Sequence, residues 1–223
     1  MFKYLYETHL HTSEASACSS ITGAQQARKY KEAGYSGIIV TDHFFNGNTA
    51  ISEDLPWEER VEQFCQGYEN AKKEGDKIGL SVFLGWETNY DGTEFIILGL
   101  DKEFLLGNPD YLSWSIKEQY YNVKKAGGYV VHAHPFRIRS YIKEVRLFPK
   151  YIDAVEVINM GNDSKEFDKQ AWEYAKRNNF PKIAGTDSHS YDEKRTGIAF
   201  NRRIEHNKEL IENIKKGNYR IIP

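Results

Sequence analysis

The chain lacks the means to be several kinds of protein. Its two cysteines, Cys18 and Cys65, form no C-x-x-C pair and are too few for a disulfide scaffold, so a reducing cytoplasm is the expected compartment. No apolar run approaches the roughly 18 residues needed to span a bilayer, and no charged segment followed by an apolar one opens the chain; no membrane association is expected. Net charge is only −2, so there is no global basic field of the kind that holds nucleic acid stably. Linker-like Pro/Ser/Gly stretches and internal repeats are missing too. The 223 residues are therefore expected to form one domain, 1–223, around one core.

Histidine is also scarce, yet six of the seven fall into short clusters. These read His9-Leu10-His11, Asp42-His43, His132-Ala133-His134 and Asp187-Ser188-His189, each at or just past the end of an apolar run of strand type. A lone histidine at a strand end is usually a satisfied polar residue. A His-x-His pair is different, because the period of two along a strand points both rings to one face. Two such pairs with an Asp-x-His and an Asp-His supply what a multi-metal hydrolytic site requires: imidazole for zinc-like ions and carboxylate that can bridge two of them. His206 stands apart, near the start of a late helix.

Strand-like and helix-like segments alternate along most of the length, the pattern of an α/β architecture. Lys3 to Glu7, Gly37 to Thr41, Leu80 to Leu84, Phe95 to Leu98, Tyr129 to Val131, Ala154 to Ile158, Lys182 to Thr186, Gly197 to Phe200 and Tyr219 to Ile222 read as strands. Helices are expected near Thr22 to Ala33, Pro56 to Gly75, Trp114 to Ala126, after an Asp163/Glu166 capping box to Asn178, and from Asn207 to Lys216. Every histidine cluster then sits at the C-terminal end of a strand. In a parallel barrel those ends converge on one rim, where residues from opposite ends of the chain meet.

The motifs His9-Leu10-His11-Thr12, Thr41-Asp42-His43, Gly85-Trp86-Glu87, His132-Ala133-His134-Pro135 and Gly185-Thr186-Asp187-Ser188-His189, in this order, resemble the PHP (polymerase and histidinol phosphatase) family over nearly the whole chain. The resemblance implies a distorted (β/α)7, TIM-like barrel holding two or three divalent ions (Zn, Mn or Fe). It implies that His9, His11, Asp187 and Glu87 bind one metal, that Glu87 bridges to a second served by His134, and that His43 and His189 hold a third. Asp42 then reads as a partner that orients a ligand, and His132 as either ligand or structural. The chain departs from many relatives at two places. Ile96 stands where they carry a histidine, and Glu14 is the strong oxygen donor after the first His-x-His, with Cys18 a softer alternative.

The implied activity is that of a metal-dependent phosphoesterase. It would hydrolyse a small phosphorylated metabolite or nucleotide with a metal-activated water, Asp187 serving the catalytic set. Arginine forks match phosphate oxygens, which makes Arg137, and after it Arg195, candidates for the transferring group, with Arg139 beside them. Phe44-Phe45, on a rim loop, could wall a substrate ring. The alternatives are a metal-dependent amidohydrolase and a catalytically silent metal-binding accessory module.

Overall fold

The computed structural model describes residues 2–140, 142 and 144–223; Met1, Tyr141 and Lys143 lie outside the described residues. The elements run β1 (Tyr4–Leu10), α1 (Gly23–Glu32), β2 (Gly37–Val40), α2 (Trp57–Ile78), β3 (Ser81–Tyr90), β4 (Thr93–Leu98), α3 (Lys102–Leu106), α4 (Ile116–Lys125), β5 (Tyr129–His132), β6 (Ala154–Asn159), α5 (Lys165–Arg177), β7 (Lys182–Gly185), β8 (Gly197–Phe200), α6 (Asn207–Lys215) and β9 (Tyr219–Ile222). The nine strands form one mixed sheet in the order β7-β6-β5-β4-β3-β2-β1-β8-β9. β1, β2 and β3 run parallel, as do β5, β6 and β7, while β4 is antiparallel to both its neighbours.

The sheet curls until its far edge nearly meets β1. Just past β7, Asp187 N–H donates to His9 O (2.8 Å) and His11 N–H to Ser188 O (3.0 Å), with Leu10 and Ser188 bridged in parallel. Lower down, β8 lies antiparallel along Tyr4 to Tyr6. The result is an α/β fold with a nearly closed, barrel-like sheet. A regular sevenfold βα repeat is not confirmed. The β3–β4 hairpin turns at Asp91-Gly92 without a helix, and the β8–β9 pair adds two further strands.

Local signals explain most boundaries. Thr22 and Gln25 close a capping box on α1, Ser115 and Glu118 close another on α4, and α2 stops at Gly79 in the left-handed region (φ 69°). The expected Asp163/Glu166 box is not what starts α5. Ser164 is the N-cap, its side chain accepting from Glu166 N–H, because the chain enters the helix one residue later. α3 follows an Asp101 cap; at five residues it was too short to show as a period. Among the described residues, no helix is long and apolar enough to cross a membrane.

Tyr6, Ile39, Phe83, Ile96, Val131, Ala154, Ile183 and Ile198, one from each of the first eight strands, fill the barrel interior, and Leu210, Ile211 and Ile214 of α6 join them. Separate outer cores bind α1 and α2 to one flank and α2, α4 and α5 to the rest. Where α1 meets α2 the backbones nearly touch: a Cβ on Gly23 would lie 1.9 Å from Gly67 O. We predict that Gly23→Ala costs about 1–3 kcal/mol through this overpacking, read as a lower midpoint in urea. An unchanged midpoint would show that the helices can part freely.

Candidate metal centre

The first motif depends on an irregularity in β1. The pairing with β2 shifts between Glu7 and Leu10, three residues of β1 spanning two of β2. A bulge of this kind re-aims side chains. Tyr6 faces the interior, and simple alternation would send Leu10 inward as well. Instead Leu10 packs outward with Ala27, Tyr30 and Ile38, and His9 and His11 turn into the barrel. Glu7 fills the bulge: its Oε1 accepts from the main-chain N–H of Thr8 (2.9 Å), His9 (2.8 Å) and Thr186 (2.9 Å). Burial pushes the Glu7 carboxyl up to about 8 against these hydrogen bonds.

His9, His11, His43, Glu87, His134, Asp187 and His189 all meet at the top of the interior. Glu87 is nearly inaccessible and faces two ways. Its Oε1 lies 3.3 Å from His9 Nε2 and 3.1 Å from His134 Nε2; its Oε2 lies 2.8 Å from His43 Nδ1 and 3.7 Å from His11 Nε2. Asp187, in the left-handed region at φ 51°, sets Oδ1 3.2 Å from His11 Nε2 and 3.5 Å from His9 Nε2, and accepts from Arg137 Nη2 at Oδ2 (2.7 Å).

The protons on three rings are fixed from behind. His9 Nδ1–H donates to Glu156 Oε1 (2.9 Å), and His189 Nδ1–H donates to the carbonyl of Asp187 (2.9 Å). Ser16 Oγ donates its one proton to Asp42 Oδ1 (2.7 Å), so it must accept from His11 Nδ1–H (3.1 Å). Each ring then presents Nε2 to the cavity, the arrangement by which an outer partner fixes the tautomer of a metal-binding imidazole. Asp42 thus has the orienting place expected of it, through Ser16 and through Thr12 N–H and Oγ1.

The donor spacing tests whether an ion fits. His9 Nε2, His11 Nε2 and Asp187 Oδ1 form a triangle with sides of 3.2, 3.2 and 3.5 Å. Ligands about 2.0–2.2 Å from a tetrahedral zinc-like ion stand roughly 3.4 Å apart, so the triangle is one face of such a polyhedron. His43 Nδ1 is buried 2.8 Å from Glu87 Oε2 without the alignment of a hydrogen bond, a pairing that a cation would satisfy. Three further groupings each bring donor atoms within 4.8 Å: His9/Glu87/His134, His11/His43/His189 and His43/Glu87/Glu94. The residues fit divalent ions.

Charge is balanced tightly. Burial opposes ionisation of Asp187 and Glu87, yet His9 with Arg137, and His9 with His134 and His43, hold both well below the usual carboxylate range. Burial likewise opposes a proton on His9, but Glu156, Asp187 and Glu87 raise it well above the ordinary imidazole value. His11 goes the other way, lowered by burial and by His43 and His189.

Several expectations are not met. Glu14 is not brought to the cluster; its carboxylate accepts from Gly23 N–H at the head of α1 and from Asn70 Nδ2. The rings of His132 and His134 do not share a face. β5 ends at His132 and the chain swings through φ 25° at His134, so His132 stacks on Phe95 (5.1 Å) in the outer core, where burial brings it down to about 3. Arg195 lies exposed with its guanidinium 5.9 Å from the Tyr35 ring centre, and Lys194 lines the cavity beside it. Phe44 is fully buried, packed with Phe45, Phe64 and Tyr111, and builds core. Arg137 and Arg139 do border the cavity, an open space of about 790 Å³ that also meets His43, Glu87, Asp187 and His189. Cys18 lines it as well, and although burial opposes this, His189 and His43 bring its thiol down to about 6. Glu7, Glu156 and Asn159 were missed, for no local pattern marks them.

A family model described as PHP-associated matches residues 166–219. The fold matches a two-domain protein from Bacteroides vulgatus containing a predicted PHP-like metal-dependent phosphoesterase, at a TM-score of 0.74 and 14% identity, covering 98% of this chain and 64% of that one. This chain therefore spans less than two thirds of that two-domain relative. The family match covers under half of the chain, and the structural likeness is one of fold. A protein from Bifidobacterium adolescentis, proposed to be a metal-dependent phosphoesterase, matches at a TM-score of 0.60 and 16% identity, covering 93% of this chain and 94% of that one. An amidohydrolase from Chromobacterium violaceum, with bound sulfate and no metal, matches at 0.63 and 13%, covering 97% of each chain. No curated protein matches the sequence. At these identities the structural likeness establishes the PHP-like fold.

Glu156→Gln keeps the shape but removes the charge behind His9, and should weaken metal binding about 10- to 100-fold by chelator competition, with unchanged circular dichroism. Undiminished affinity would detach Glu156 from the centre.

Proposed function

We propose that the chain is a metal-dependent phosphoesterase of PHP type acting on a small phosphorylated substrate, with residues 1–223 forming one hydrolase domain on a distorted (β/α)7 plan, in the cytoplasm. The observation that carries this reading is the convergence of His9 and His11 Nε2 on Asp187 and Glu87, with His43 and His189 grouped beside His11, next to a basic wall. His9, His11, Asp187 and Glu87 would hold one ion, Glu87 and His134 a second, and His43 and His189 a third. Zn, Mn and Fe all suit such mixed nitrogen and oxygen donors. Bound divalent ions supply Lewis acidity and lower the pKa of a coordinated water.

The chain's own residues do the rest. Arg137 is nearly buried, and it is oriented by Asn159 Oδ1 (2.6 Å), Asn162 Oδ1 (2.9 Å) and Asp187 Oδ2. A guanidinium so fixed can meet a phosphoryl oxygen without first losing rotamer freedom. Arg139 and Lys194 extend the positive wall towards the mouth. Asp187 links the two functions, one oxygen turned to the imidazoles and the other to Arg137.

Phosphate release from a panel of phosphomonoesters and dinucleotides, with Mn, Zn or Fe added, tests the reading. Metal-dependent turnover is expected, and His9→Ala and Asp187→Ala should lose activity and bound metal together. Cleavage of amide substrates alone would favour the amidohydrolase, and bound metal without any turnover the accessory module. For Arg137→Ala we expect phosphate inhibition about 10- to 100-fold weaker, as for loss of a charge-assisted contact, with metal content retained. Unaltered inhibition would remove Arg137 from the substrate site.

A further inference from the structure

Glu94 is a donor that neither the resemblance nor the ligand assignments above use. It lies on β4, two residues before Ile96, and so on the same face of the strand. Ile96, at the place where many relatives have a histidine, is wholly buried among the interior apolar residues and offers no ligand. Glu94 is 5% exposed. Asn89 Nδ2 donates to its Oε1 (2.9 Å), and its Oε2 points to His134 Nε2 at 3.6 Å. One donor atom each of Glu94, Glu87 and His43 falls within 4.8 Å. Two carboxylates buried this close repel each other, and a cation between them turns that repulsion into binding.

We propose that Glu94 is a metal ligand, completing with Glu87 and His134 an oxygen-rich subsite, bordered by His43, that prefers a harder ion than the imidazole-rich end at His11 and His189. This rests on the reading of the cavity as a metal centre. The chemistry differs across the cluster: carboxylate oxygens suit Mn or Mg, whereas a set dominated by imidazole suits Zn. With glutamate as the donor on this strand, oxygen rather than nitrogen bears on which ion is held. The centre is asymmetric and takes two kinds of ion.

The test offers Mn and Zn together to the metal-free full chain, reading Mn by electron paramagnetic resonance and both by elemental analysis. The unaltered protein should retain both metals. Glu94→Gln should weaken Mn binding at least about 10-fold while Zn content stays the same. Glu94→Asp, which keeps the charge but shortens the reach, should weaken Mn as well, and it serves if the first variant fails to fold. Mn binding unchanged in either folded variant overturns the role of Glu94, and Zn displacing all Mn from the unaltered protein overturns the asymmetry. If the unaltered protein binds neither ion, the metal-centre reading itself fails, an outcome distinct from the other two.

Discussion

Three main-chain N–H groups, from Thr8, His9 and Thr186, converge on one oxygen of Glu7, and that contact holds the bulge of β1 in place. A buried main-chain N–H left without an acceptor costs about 1–3 kcal/mol. The bulge is therefore stable only with an acceptor at this position. Because it reverses the alternation, both imidazoles of the first motif face inward while Leu10 anchors the strand to α1. Gly185 belongs to the same arrangement: a Cβ there would lie 2.4 Å from His9 Cβ and 2.8 Å from Glu156 Oε1, so β7 must be bare to pass so close.

Above an apolar interior, the rim gathers imidazoles and carboxylates whose charges are mutually dependent. His9 is drawn towards its charged form by the same acids that His9 and Arg137 keep ionised. In such a setting each group's state belongs to the set. A cation entering among these groups would displace protons from the imidazoles and take over the role of countercharge to Glu87 and Asp187. Pinning Nδ1 of His9, His11 and His189 from outside means that the lone pairs need no reorientation when this happens.

The site was legible to the degree that its signals were local. His-x-His and Asp-x-His stand at strand ends, and strand ends of a barrel meet at one rim; spacing carries that inference, while Glu87, inside the longer β3, was marked by the family resemblance. His132 was misleading because the period of two holds only while the strand lasts, and the chain leaves β-geometry at His134. Glu14 and Arg195 were misplaced for a related reason. Proximity in sequence to a ligand does not say where a loop side chain goes, and a helix N-terminus and a tyrosine ring took them. Glu7, Glu156 and Asn159 act across separations that no pattern encodes: Glu156 reaches His9 from 147 positions away. The alternation of elements was read almost throughout, but β1 and β3 run on to Leu10 and Tyr90, because polar residues there are buried by the site and give no apolar signature.

The same reasoning explains the place of Arg137. A buried guanidinium is costly unless each face has a partner. Asp187 provides the charge, while Asn159 and Asn162 hold the plane. Asn159 also donates to Glu156, which in turn holds His9, so one amide ties the arginine to that ring. A close approach of backbone completes the pocket: a Cβ on Gly161 would lie 2.7 Å from Asp187 Oδ2 and 3.1 Å from Arg137 Nη2. Arg137 and the imidazole cluster therefore share one hydrogen-bond network through Asp187, Asn159 and Glu156.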